Sequence, residues 1–365
     1  MTMTLDIEPR KLPLHDEHLL KGARMGDFGG WLVPLFYTSI MEEHAAVRHK
    51  AGLFDISHMG EFLVEGQGAL EFLEKNLPRR LGKVKFQQAI YMPLVNDQGG
   101  MVDDIIVYRM AEERFLIIVN ASNIAKDFAW FEARASNGVT VNDLSEDMGL
   151  LALQGPLSQK ILLEAFGAYY KDLKRFYYKD FEGGMIARTG YTGEDGYEIM
   201  IPKKKLKAVW DVLFRAGEQY GLLPVGFGAR DTLRLEAAMP LYGHELTDDI
   251  TPLEADLEWA VDLTKEHFPG LEILKKQKAN GVSRKRIGFE MVDRGIPRHG
   301  FEVQKDGKVL GMVTSGSFIP TTGKNIGMAY VSVQEAKVGN SIDIMIRGKA
   351  VKAVIVSLPF YKKKG

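Results

Sequence analysis

The stretch from Ile287 to Val356 constrains the fold most, because it consists of short apolar runs separated by turn residues. Each run has the length of a β-strand, and a turn such as Lys305–Lys308 carries an Asp-Gly pair typical of hairpins. The predicted strands are Ile287–Val292, Phe301–Gln304, Val309–Thr314, Ile326–Val333, Ser341–Ile346 and Val351–Val356. Short strands at regular spacing favour an all-β barrel or sandwich of about 80 residues.

The chain ahead of this region mixes helix and strand patterns, which predicts an α+β protein. Its length of 365 residues suggests two or three domains. The clearest helix is Leu206–Tyr220, whose apolar residues form one stripe that ends at Gly221. Two segments lack such patterns. Gly22–Tyr37, rich in glycine and aromatic residues, is predicted to be irregular, and the basic stretch Lys275–Arg286 is predicted to be a solvated linker at a domain boundary.

Composition excludes several classes of function. Lysine plus arginine number 47 against 48 acids, so neither a broad basic face nor a nucleic-acid partner is expected. The absence of cysteine excludes disulfides, thiolate nucleophiles and cysteine-ligated metals. The eight histidines are scattered without ligand spacing, so no metal site is expected. No G-x-S-x-G elbow or phosphate-binding glycine loop is present either.

Membrane association and export are also not expected. Apolar runs such as Phe115–Val119 are much shorter than the ~20 residues of a membrane helix. The segment Met1–Arg10 carries acids and has no apolar core of signal-peptide length. We therefore expect a cytoplasmic protein that has no membrane partner.

The segment Arg188–Glu198 holds three glycines, two tyrosines and three acids between two predicted strands, Met185–Thr189 and Tyr197–Ile201. Glycines in such a connection allow a positive φ or a close approach of the backbone to a ligand. Acids and aromatic rings together suit a flat heterocycle that forms hydrogen bonds. The alternative is a plain hairpin turn.

Other polar residues lie at predicted element ends or within strands. Asp103 and Asp104 lie in the strand-like run Met101–Tyr108, where neighbouring side chains face opposite sides, or they close a turn. Asn120 lies in a strand-to-helix turn and suits helix capping. We expect the single His58 to be a structural residue.

Six segments in chain order carry a resemblance to the glycine cleavage T-protein family, the tetrahydrofolate-dependent aminomethyltransferases. They are Gly22–Phe28, Asp55–Glu61, Gly99–Asp104, Arg188–Gly196, Gly228–Ala237 and Thr314–Phe318. The resemblance implies an α+β fold with three domains around a central folate channel, the C-terminal one an all-β barrel. The expected boundaries are a discontinuous folate-binding domain over 1–55 and 140–280, an inserted domain over 56–139, and a barrel over 281–365.

The resemblance also implies the chemistry. A lipoylated carrier, the H-protein, delivers an aminomethyl group, ammonia is released, and tetrahydrofolate as co-substrate becomes methylene-tetrahydrofolate. It assigns the catalytic carboxylate to Asp104, with Asp103 as the alternative, and it leaves open whether Tyr361 contacts substrate. Glu198 is similar to the acid that pairs with the pterin ring, and Arg230 to a substrate-contacting arginine, with an ion pair on the helix surface as the alternative. Tyr91, Asn120 and Tyr191 match further positions of the folate site.

Two other functions remain as alternatives. A non-transferring folate-binding accessory protein for iron–sulfur cluster maintenance shares this fold, but such relatives carry a Lys-Gly-Cys type of motif and this chain has no cysteine. A demethylating flavoenzyme would need a flavin domain, for which the chain has no room. One departure from the family pattern is Leu94–Asp97, where valine replaces a threonine.

Overall fold

The computed structural model describes residues 8–136 and 138–363, so most of the segment Met1–Arg10 lies outside the described residues. The helices are α1 (His15–Leu20), α2 (Ile40–His49), α3 (Ala69–Asn76), α4 (Ile124–Glu132), α5 (Ser158–Phe166), α6 (Lys203–Gly217), α7 (Phe227–Glu236) and α8 (Leu271–Asn280). The strands before the barrel are β1 (Arg10–Lys11), β2 (Arg24–Phe28), β3 (Trp31–Phe36), β4 (Gly52–Asp55), β5 (Gly60–Glu65), β6 (Gln88–Val95), β7 (Met101–Ala111), β8 (Arg114–Val119), β9 (Thr140–Asp143), β10 (Met148–Gln154), β11 (Tyr178–Phe181), β12 (Gly184–Ala187), β13 (Gly196–Pro202) and β14 (Leu223–Pro224). Those of the barrel are β15 (Arg284–Met291), β16 (Glu302–Lys305), β17 (Lys308–Ile319), β18 (Lys324–Ser332), β19 (Ser341–Ile346) and β20 (Lys349–Val356).

The chain forms two compact units. The first comprises residues up to Gly60, Leu144–Gly190 and Glu194–Asp231, and the second comprises Glu61–Asp143, Tyr191–Gly193 and the chain from Thr232 onward. The first unit contains a six-stranded sheet in the order β11-β12-β13-β10-β4-β14 and a three-stranded sheet in the order β1-β3-β2. The second contains a five-stranded sheet in the order β6-β7-β8-β5-β9 and a closed barrel.

The six-stranded sheet of the first unit is built around β10, all of whose residues are buried. Its register with β13 pairs Ala152 with Glu198, which places that acid inside the sheet rather than in the preceding connection. Helix α6 covers the sheet with the stripe predicted from its sequence, and its fully buried Trp210 belongs to the unit's core. Burying such a side chain contributes about 1.5–3 kcal/mol. Gly221, with φ of +66°, follows the helical segment as predicted.

The prediction of irregular backbone for Gly22–Tyr37 was wrong. Strands β2 and β3 form an antiparallel hairpin in which Phe28 pairs with Trp31. The two residues between them, Gly29 and Gly30, both have positive φ, +59° and +81°. A two-residue connection with positive φ at both positions matches the right-handed twist of hairpin strands, and Gly-Gly satisfies it without strain. The Gly-Gly turn therefore indicated a hairpin, although the flanking residues do not alternate between apolar and polar.

The predicted C-terminal barrel is confirmed. Six antiparallel strands close in the order β15-β18-β17-β16-β19-β20. Inward-facing residues such as Phe289, Val303, Val313 and Ile344 form its core, and all four are almost completely buried. Strand β17 extends five residues beyond its predicted end at Thr314, after a bulge between Val313 and Ser315.

The basic stretch Lys275–Arg286 is not the long linker that the sequence predicted. Its first lysines lie on α8, whose Leu271 and Leu274 are buried, and its last residues begin β15. Only 281–283 connect the two, and Gly281 has a φ of +83°. The lysines of α8 are exposed, whereas Arg286 of β15 is buried. Composition alone does not distinguish charged residues on regular elements from those of a linker.

No helix in the described ranges is long and apolar enough to cross a membrane.

Candidate functional site

The paired acids Asp103 and Asp104 lie near the start of β7 and pair with Leu94 and Pro93 of β6. The alternative that they close a turn is therefore wrong. Asp103 is completely buried, and Asp104 is half-buried. In a strand, successive side chains point to opposite faces. Nevertheless, both carboxylates accept hydrogen bonds from a single residue outside β7.

That residue is Asn120, which follows β8. Its side-chain Nδ2 donates to Oδ1 of Asp103 and to Oδ1 of Asp104, both at 2.8 Å, and its backbone N–H donates to Oδ2 of Asp103 at 2.9 Å. Its side chain makes no helix-capping hydrogen bond, so the capping alternative for Asn120 is wrong. Asn120 instead fixes the two acids relative to each other.

Asp104 has the electrostatics of a proton-transfer group. Burial, followed by the neighbouring charge of Asp103, raises the pKa of Asp104 to about 7, against hydrogen bonds from Tyr91 and Asn120 that favour the anion. Tyr91 donates to Oδ2 of Asp104 at 3.0 Å. Burial and the charge of Asp104 raise the pKa of Tyr91 well above its ordinary value, so the phenol keeps the proton that it donates. A carboxyl group with a pKa near neutrality can take up or release a proton at physiological pH.

Two further residues, Asn123 and Asp127, lie behind Asp103 and were not predicted from the sequence. Asn123 donates its Nδ2 hydrogen to Oδ1 of Asp103 at 2.8 Å. Asp127, one turn further along α4, is completely buried, and among the described residues neither of its oxygens has a hydrogen-bond partner within normal geometry. Burial, then the charge of Asp103, raises the pKa of Asp127 to about 10, so it is neutral at pH 7. The i, i+4 spacing of Asn123 and Asp127 was the available signal.

Further residues of the second unit surround this cluster. Tyr191 donates a short hydrogen bond to the carbonyl of Pro240 and lies close enough to Tyr91 to act on its pKa. The buried Arg286 of β15 acts on Tyr91 in the opposite direction. The ring of Trp259 stacks on that of Tyr91, with centroids 5.7 Å apart and an interplanar angle of 24°. The structure thus groups Tyr91, Asp104, Asn120 and Tyr191.

The three acids of the segment Arg188–Glu198 have different surroundings. Glu194 forms a buried ion pair with Arg48 at 3.0 Å, and Asp195 accepts two hydrogen bonds from Arg188 at 2.9 and 2.6 Å. These two acids fix the loop. Glu198 instead lies on β13 within the six-stranded sheet, opposite Ala152 of β10 and Ala187 of β12.

Glu198 has a hydroxyl partner and a nearby cation. Thr189 donates to Oε2 of Glu198 at 2.5 Å. Burial raises the pKa of Glu198, while the bond from Thr189 and the positive charge of Arg230 oppose the rise. Arg230, half-buried on α7, thus lies in the electrostatic reach of Glu198, and the two residues form the second site cluster.

His58 lies in the same unit between two aromatic rings. Its ring packs edge-on against Phe227, with centroids 4.8 Å apart, and against Phe28 at 6.0 Å. Burial, and then the charge of Arg230, lowers the pKa of His58 to about 3. The imidazole is therefore neutral at physiological pH, and its packing agrees with the structural role expected for it.

The space beside two glycines of the loop, Gly190 and Gly196, is filled by a side chain of the protein itself. A Cβ built on Gly190 would lie 2.0 Å from Oε1 of Gln154, and one built on Gly196 would lie 2.3 Å from its Nε2. Gln154 is buried and donates to the carbonyl of Thr189 at 3.2 Å. Gly193 alone of the three has a positive φ, +80°. The connection is thus a packed turn between the antiparallel strands β12 and β13. Glu198, the last residue of the segment Arg188–Glu198, already belongs to β13.

Two further sequence observations find local explanations. Val95, which stands in the departure from the family pattern, is completely buried in an apolar cluster with Phe268 and Leu271, so packing replaces the missing hydroxyl. The backbone N–H of Tyr361 donates to the carbonyl of Glu236 at 2.8 Å, and the Tyr361 ring borders Gly193.

Within residues 8–136 and 138–363, no group of three or more histidines and acids is arranged to hold a metal ion. The carboxylates, hydroxyls and arginine of the two clusters are suited to proton transfer, hydrogen bonding and stabilisation of charge.

Comparison with known proteins assigns both parts of the chain. Residues 14–265 match the family model described as the GCVT N-terminal domain, and residues 284–362 match the glycine cleavage T-protein C-terminal barrel domain. The fold and the site thus define a protein of the GCVT class.

Full-length relatives narrow the assignment. The chain is 47% identical over 361 residues to an aminomethyltransferase of Desulforamulus reducens, covering 98% of this chain and 99% of that one. It is 46% identical to an aminomethyltransferase of Thermoanaerobacter pseudethanolicus, covering 97% and 98%. The crystal structure of glycine cleavage system aminomethyltransferase T from Bartonella henselae superposes with a TM-score of 0.92 at 38% identity, covering 97% and 98%. The chain belongs to the glycine cleavage T-protein family and is an aminomethyltransferase of glycine cleavage.

Proposed function

We propose that the one-carbon acceptor is tetrahydrofolate and that the donor is the aminomethyl group on the dihydrolipoyl arm of a carrier H-protein. In this reaction the methylene carbon leaves sulfur and nitrogen and forms bonds to two folate nitrogens. The two protons lost by those nitrogens balance the ammonia and the thiol that are released. The chemistry needs a group that accepts or relays a proton beside the attacking nitrogen and stabilises a cationic carbon.

Asp104 is the catalytic residue in this proposal. The observation that carries the assignment is its burial beside Asp103, which raises the pKa of Asp104 to about 7. At neutral pH a substantial fraction is anionic and can accept a proton, and the protonated fraction can return one. Asp103 is the less suitable acid because three N–H groups of Asn120 and Asn123 already donate to it.

Tyr91, Asn120 and Tyr191 bind and orient the folate around this carboxylate. Tyr91 and Asn120 each donate a hydrogen bond to Asp104, which fixes its orientation. Tyr191 belongs to the same cluster through its effect on Tyr91. A reacting nitrogen placed beside Oδ1 or Oδ2 would therefore meet a carboxylate whose geometry is set before the substrate arrives.

Glu198 and Arg230 recognise the folate in this proposal. A carboxylate accepts two parallel hydrogen bonds from the amino and ring N–H groups of a pterin. The rigid donor fork of an arginine suits the polar oxygens of the same substrate. The positive charge of Arg230 keeps Glu198 closer to its anionic form, which is the form that accepts both bonds.

The family assignment also supports the partners and the location. We propose the lipoylated H-protein as the macromolecular partner, neither nucleic acid nor membrane as a further partner, no resident metal, and the cytoplasm as the site of action. The three domains, over 1–55 with 140–280, 56–139 and 281–365, remain a proposal as well.

A coupled assay tests the proposal. Wild-type protein, Asp104→Asn and Glu198→Ala are supplied with aminomethyl-loaded carrier and tetrahydrofolate, and methylene-tetrahydrofolate and ammonia are measured. Asp104→Asn should lower kcat by about 10²–10⁴-fold while folate still binds. Glu198→Ala should weaken folate binding. The exposed Asp211, which pairs with Lys207 on the surface of α6, provides the matched control Asp211→Asn.

The outcomes discriminate between functions. Wild-type protein that binds folate but releases no ammonia from loaded carrier would indicate a non-transferring folate-binding accessory protein. The relatives reported above carry the transferase name, which gives that alternative no support. Full activity of Asp104→Asn with normal folate binding would transfer the catalytic assignment to another group.

A further inference from the structure

Glu43 of α2 is a completely buried acid that has no role in the function described so far. Its Oε1 accepts the backbone N–H groups of Tyr37 at 2.6 Å and of Thr38 at 3.0 Å, the two residues that follow β3. Its Oε2 accepts the backbone N–H of Gly226 at 2.8 Å. A buried carboxylate is costly unless it is hydrogen-bonded, and these three N–H groups meet that need.

The partners of Glu43 fit its ionised form. All three are donors, whereas a protonated carboxyl would carry a hydrogen that needs an acceptor. Burial raises the pKa of Glu43, and the hydrogen bonds from Gly226, Tyr37 and Thr38 oppose that rise. Gly226 directly precedes α7, where the helix dipole also favours a negative charge. The side chain thus acts as an anion that joins the end of β3 to the start of α7.

Gly226 connects this carboxylate to Arg230. The carbonyl of Gly226 accepts the backbone N–H of Arg230 at 3.1 Å, across the first turn of α7. Glu43 therefore holds the N–H of a residue whose carbonyl holds the backbone of the arginine. Arg230 acts on the pKa of Glu198, and all four residues belong to the first unit. A displacement of Gly226 would move the guanidinium relative to Glu198.

The start of α7 also packs closely against β3 and α2. A Cβ built on Gly226 would lie 2.4 Å from the carbonyl oxygen of Leu35, and one built on Gly228 would lie 2.7 Å from Cδ1 of Ile40. Neither position has room for a side chain, so the backbone of α7 approaches its neighbours directly. The position of this turn therefore depends on the chain around Leu35 and Ile40, which is the part of the chain that Glu43 bonds to Gly226.

We propose that Glu43 is a positioning residue for folate recognition, which fixes the first turn of α7 so that Arg230 is held within reach of Glu198 before the substrate arrives. The inference rests on the proposed tetrahydrofolate-dependent function and adds a residue that does not itself contact the substrate. Groups that are ordered in advance bind a ligand more tightly, because less conformational freedom is lost on binding.

The first test measures the dissociation constant of tetrahydrofolate by calorimetric titration. Glu43→Gln keeps the size of the side chain but turns one acceptor into an amide N–H donor that faces a backbone N–H. The variant should bind tetrahydrofolate roughly tenfold more weakly, as expected when a hydrogen bond from a charged group is misaligned. In the coupled assay KM for tetrahydrofolate should rise while kcat stays within about twofold of the wild type. Glu42→Gln, at the exposed neighbouring position, is the matched control and should keep the wild-type values.

A double-mutant cycle separates positioning from a general loss of stability. Because Glu43 acts through Arg230 in this proposal, Glu43→Gln should not weaken tetrahydrofolate binding further in an Arg230→Gln background. A purely structural role would instead lower the stability to urea in both backgrounds and leave the affinity of the folded protein unchanged.

Gly228→Ala is a second variant that leaves Glu43 intact. Its new Cβ would lie 2.7 Å from Cδ1 of Ile40 and 3.1 Å from the carbonyl oxygen of Leu35, so the first turn of α7 has to shift. Tetrahydrofolate binding should weaken in this variant as well. A folded Gly228→Ala protein with wild-type affinity would contradict the importance of this turn for recognition.

Amide hydrogen exchange gives a readout that needs neither folate nor carrier. The backbone amides of residues 226–230 should exchange faster in Glu43→Gln than in the wild type and in Glu42→Gln. If the wild type fails to bind tetrahydrofolate, the proposed function is wrong, and the exchange rates still decide whether Glu43 anchors α7.

Three results would overturn the inference. The first is wild-type affinity for tetrahydrofolate in folded Glu43→Gln. The second is an additive loss of affinity in the double-mutant cycle, which would mean that Glu43 acts on a part of the site other than Arg230. The third is unchanged amide exchange at residues 226–230.

Discussion

The phenol of Tyr91 donates its hydrogen to Oδ2 of Asp104 across 3.0 Å, and the same carboxylate accepts from Asn120 on its other oxygen. Both bonds favour the anion, against burial and the charge of Asp103 that favour the acid. The pKa of about 7 for Asp104 is thus a balance between opposing effects. The balance can be shifted by removing one hydrogen bond without changing the carboxylate.

Tyr91→Phe should move the acidic limb of the pH–rate profile to higher pH. Loss of the hydrogen bond removes a stabilisation of the anion, so the pKa of Asp104 rises further above its ordinary value. A hydrogen bond to a charged group contributes about 1.5–3 kcal/mol, which corresponds to a shift of roughly one to two pH units. The measurement is kcat/KM between pH 5.5 and 9.

Asp104→Asn is the control for the Tyr91→Phe measurement, since a variant that lacks the carboxyl should lack the acidic limb of the pH–rate profile altogether. A Tyr91→Phe profile with a lower plateau but the wild-type midpoint would mean that Tyr91 acts on substrate binding and not on Asp104.

Asp127→Asn should stabilise the protein increasingly as the pH rises. The folded-state pKa of Asp127 is about 10, far above the ordinary value of 3.8, so folded protein keeps a proton that the unfolded chain loses above about pH 4. Unfolding then releases a proton, and the stability of the wild type falls with rising pH up to the folded pKa. Asparagine has the same shape and no charge to bury.

The measurement is urea unfolding of wild type and Asp127→Asn at pH 7, 8 and 9. The difference in the free energy of unfolding should grow by about 1 kcal/mol per pH unit. For Asp211→Asn, at an exposed position, the free energy of unfolding should change with pH in the same way as that of the wild type. Parallel curves for Asp127→Asn would show that Asp127 is charged in the folded protein.

The sequence predicted the elements that carry the site better than the contacts between them. Local alternation was enough to assign β7 as a strand and to separate the faces of Asp103 and Asp104. It gave no information on Asn120 and Asn123, which donate to Asp103 from 17 and 20 residues away. Such contacts depend on how strands and helices pack, and no local propensity encodes them. The selection of Asp104 came from the family resemblance, and its catalytic role remains a prediction.

The same limit applies to the segment Arg188–Glu198. Its composition gave three equivalent acids, and only the fold distinguishes them, because the partner of Glu194 is Arg48, 146 residues earlier. By contrast, the strands of the barrel could be predicted from short-range pattern alone, since each is bounded by its own turn residues. The order in which those strands pair to close the barrel could not be predicted from that pattern.

Glu194→Gln and Glu198→Gln should separate a structural acid from a binding acid within the segment Arg188–Glu198. Glu194 and Arg48 form an ion pair in which both side chains are 2% exposed, so removing one charge breaks a buried ion pair. That change should cost about 3–5 kcal/mol of stability. Glu198→Gln should instead weaken binding of tetrahydrofolate by about ten-fold or more, because the anionic acceptor is lost.

The two variants are compared by urea unfolding and by calorimetric titration with tetrahydrofolate. The roles assigned here fail if Glu198→Gln loses as much stability as Glu194→Gln while binding folate normally.

Gly190→Ala should destabilise the protein through Gln154 rather than through the loop's own backbone. Gly190 has no positive φ, so alanine can adopt its conformation, but the new Cβ would lie 2.0 Å from Oε1 and 2.6 Å from Nε2 of Gln154. Gln154 is buried and bonded to the carbonyl of Thr189, the residue whose hydroxyl donates to Glu198. Overpacking of this kind costs about 1–3 kcal/mol. In a Gln154→Ala background the obstructing side chain is gone, so Gly190→Ala should cost less there, with a coupling energy of about 0.5–3 kcal/mol in the double-mutant cycle. Urea unfolding of the four proteins measures it, and additive costs would show that the glycine is required for some other reason than space for Gln154.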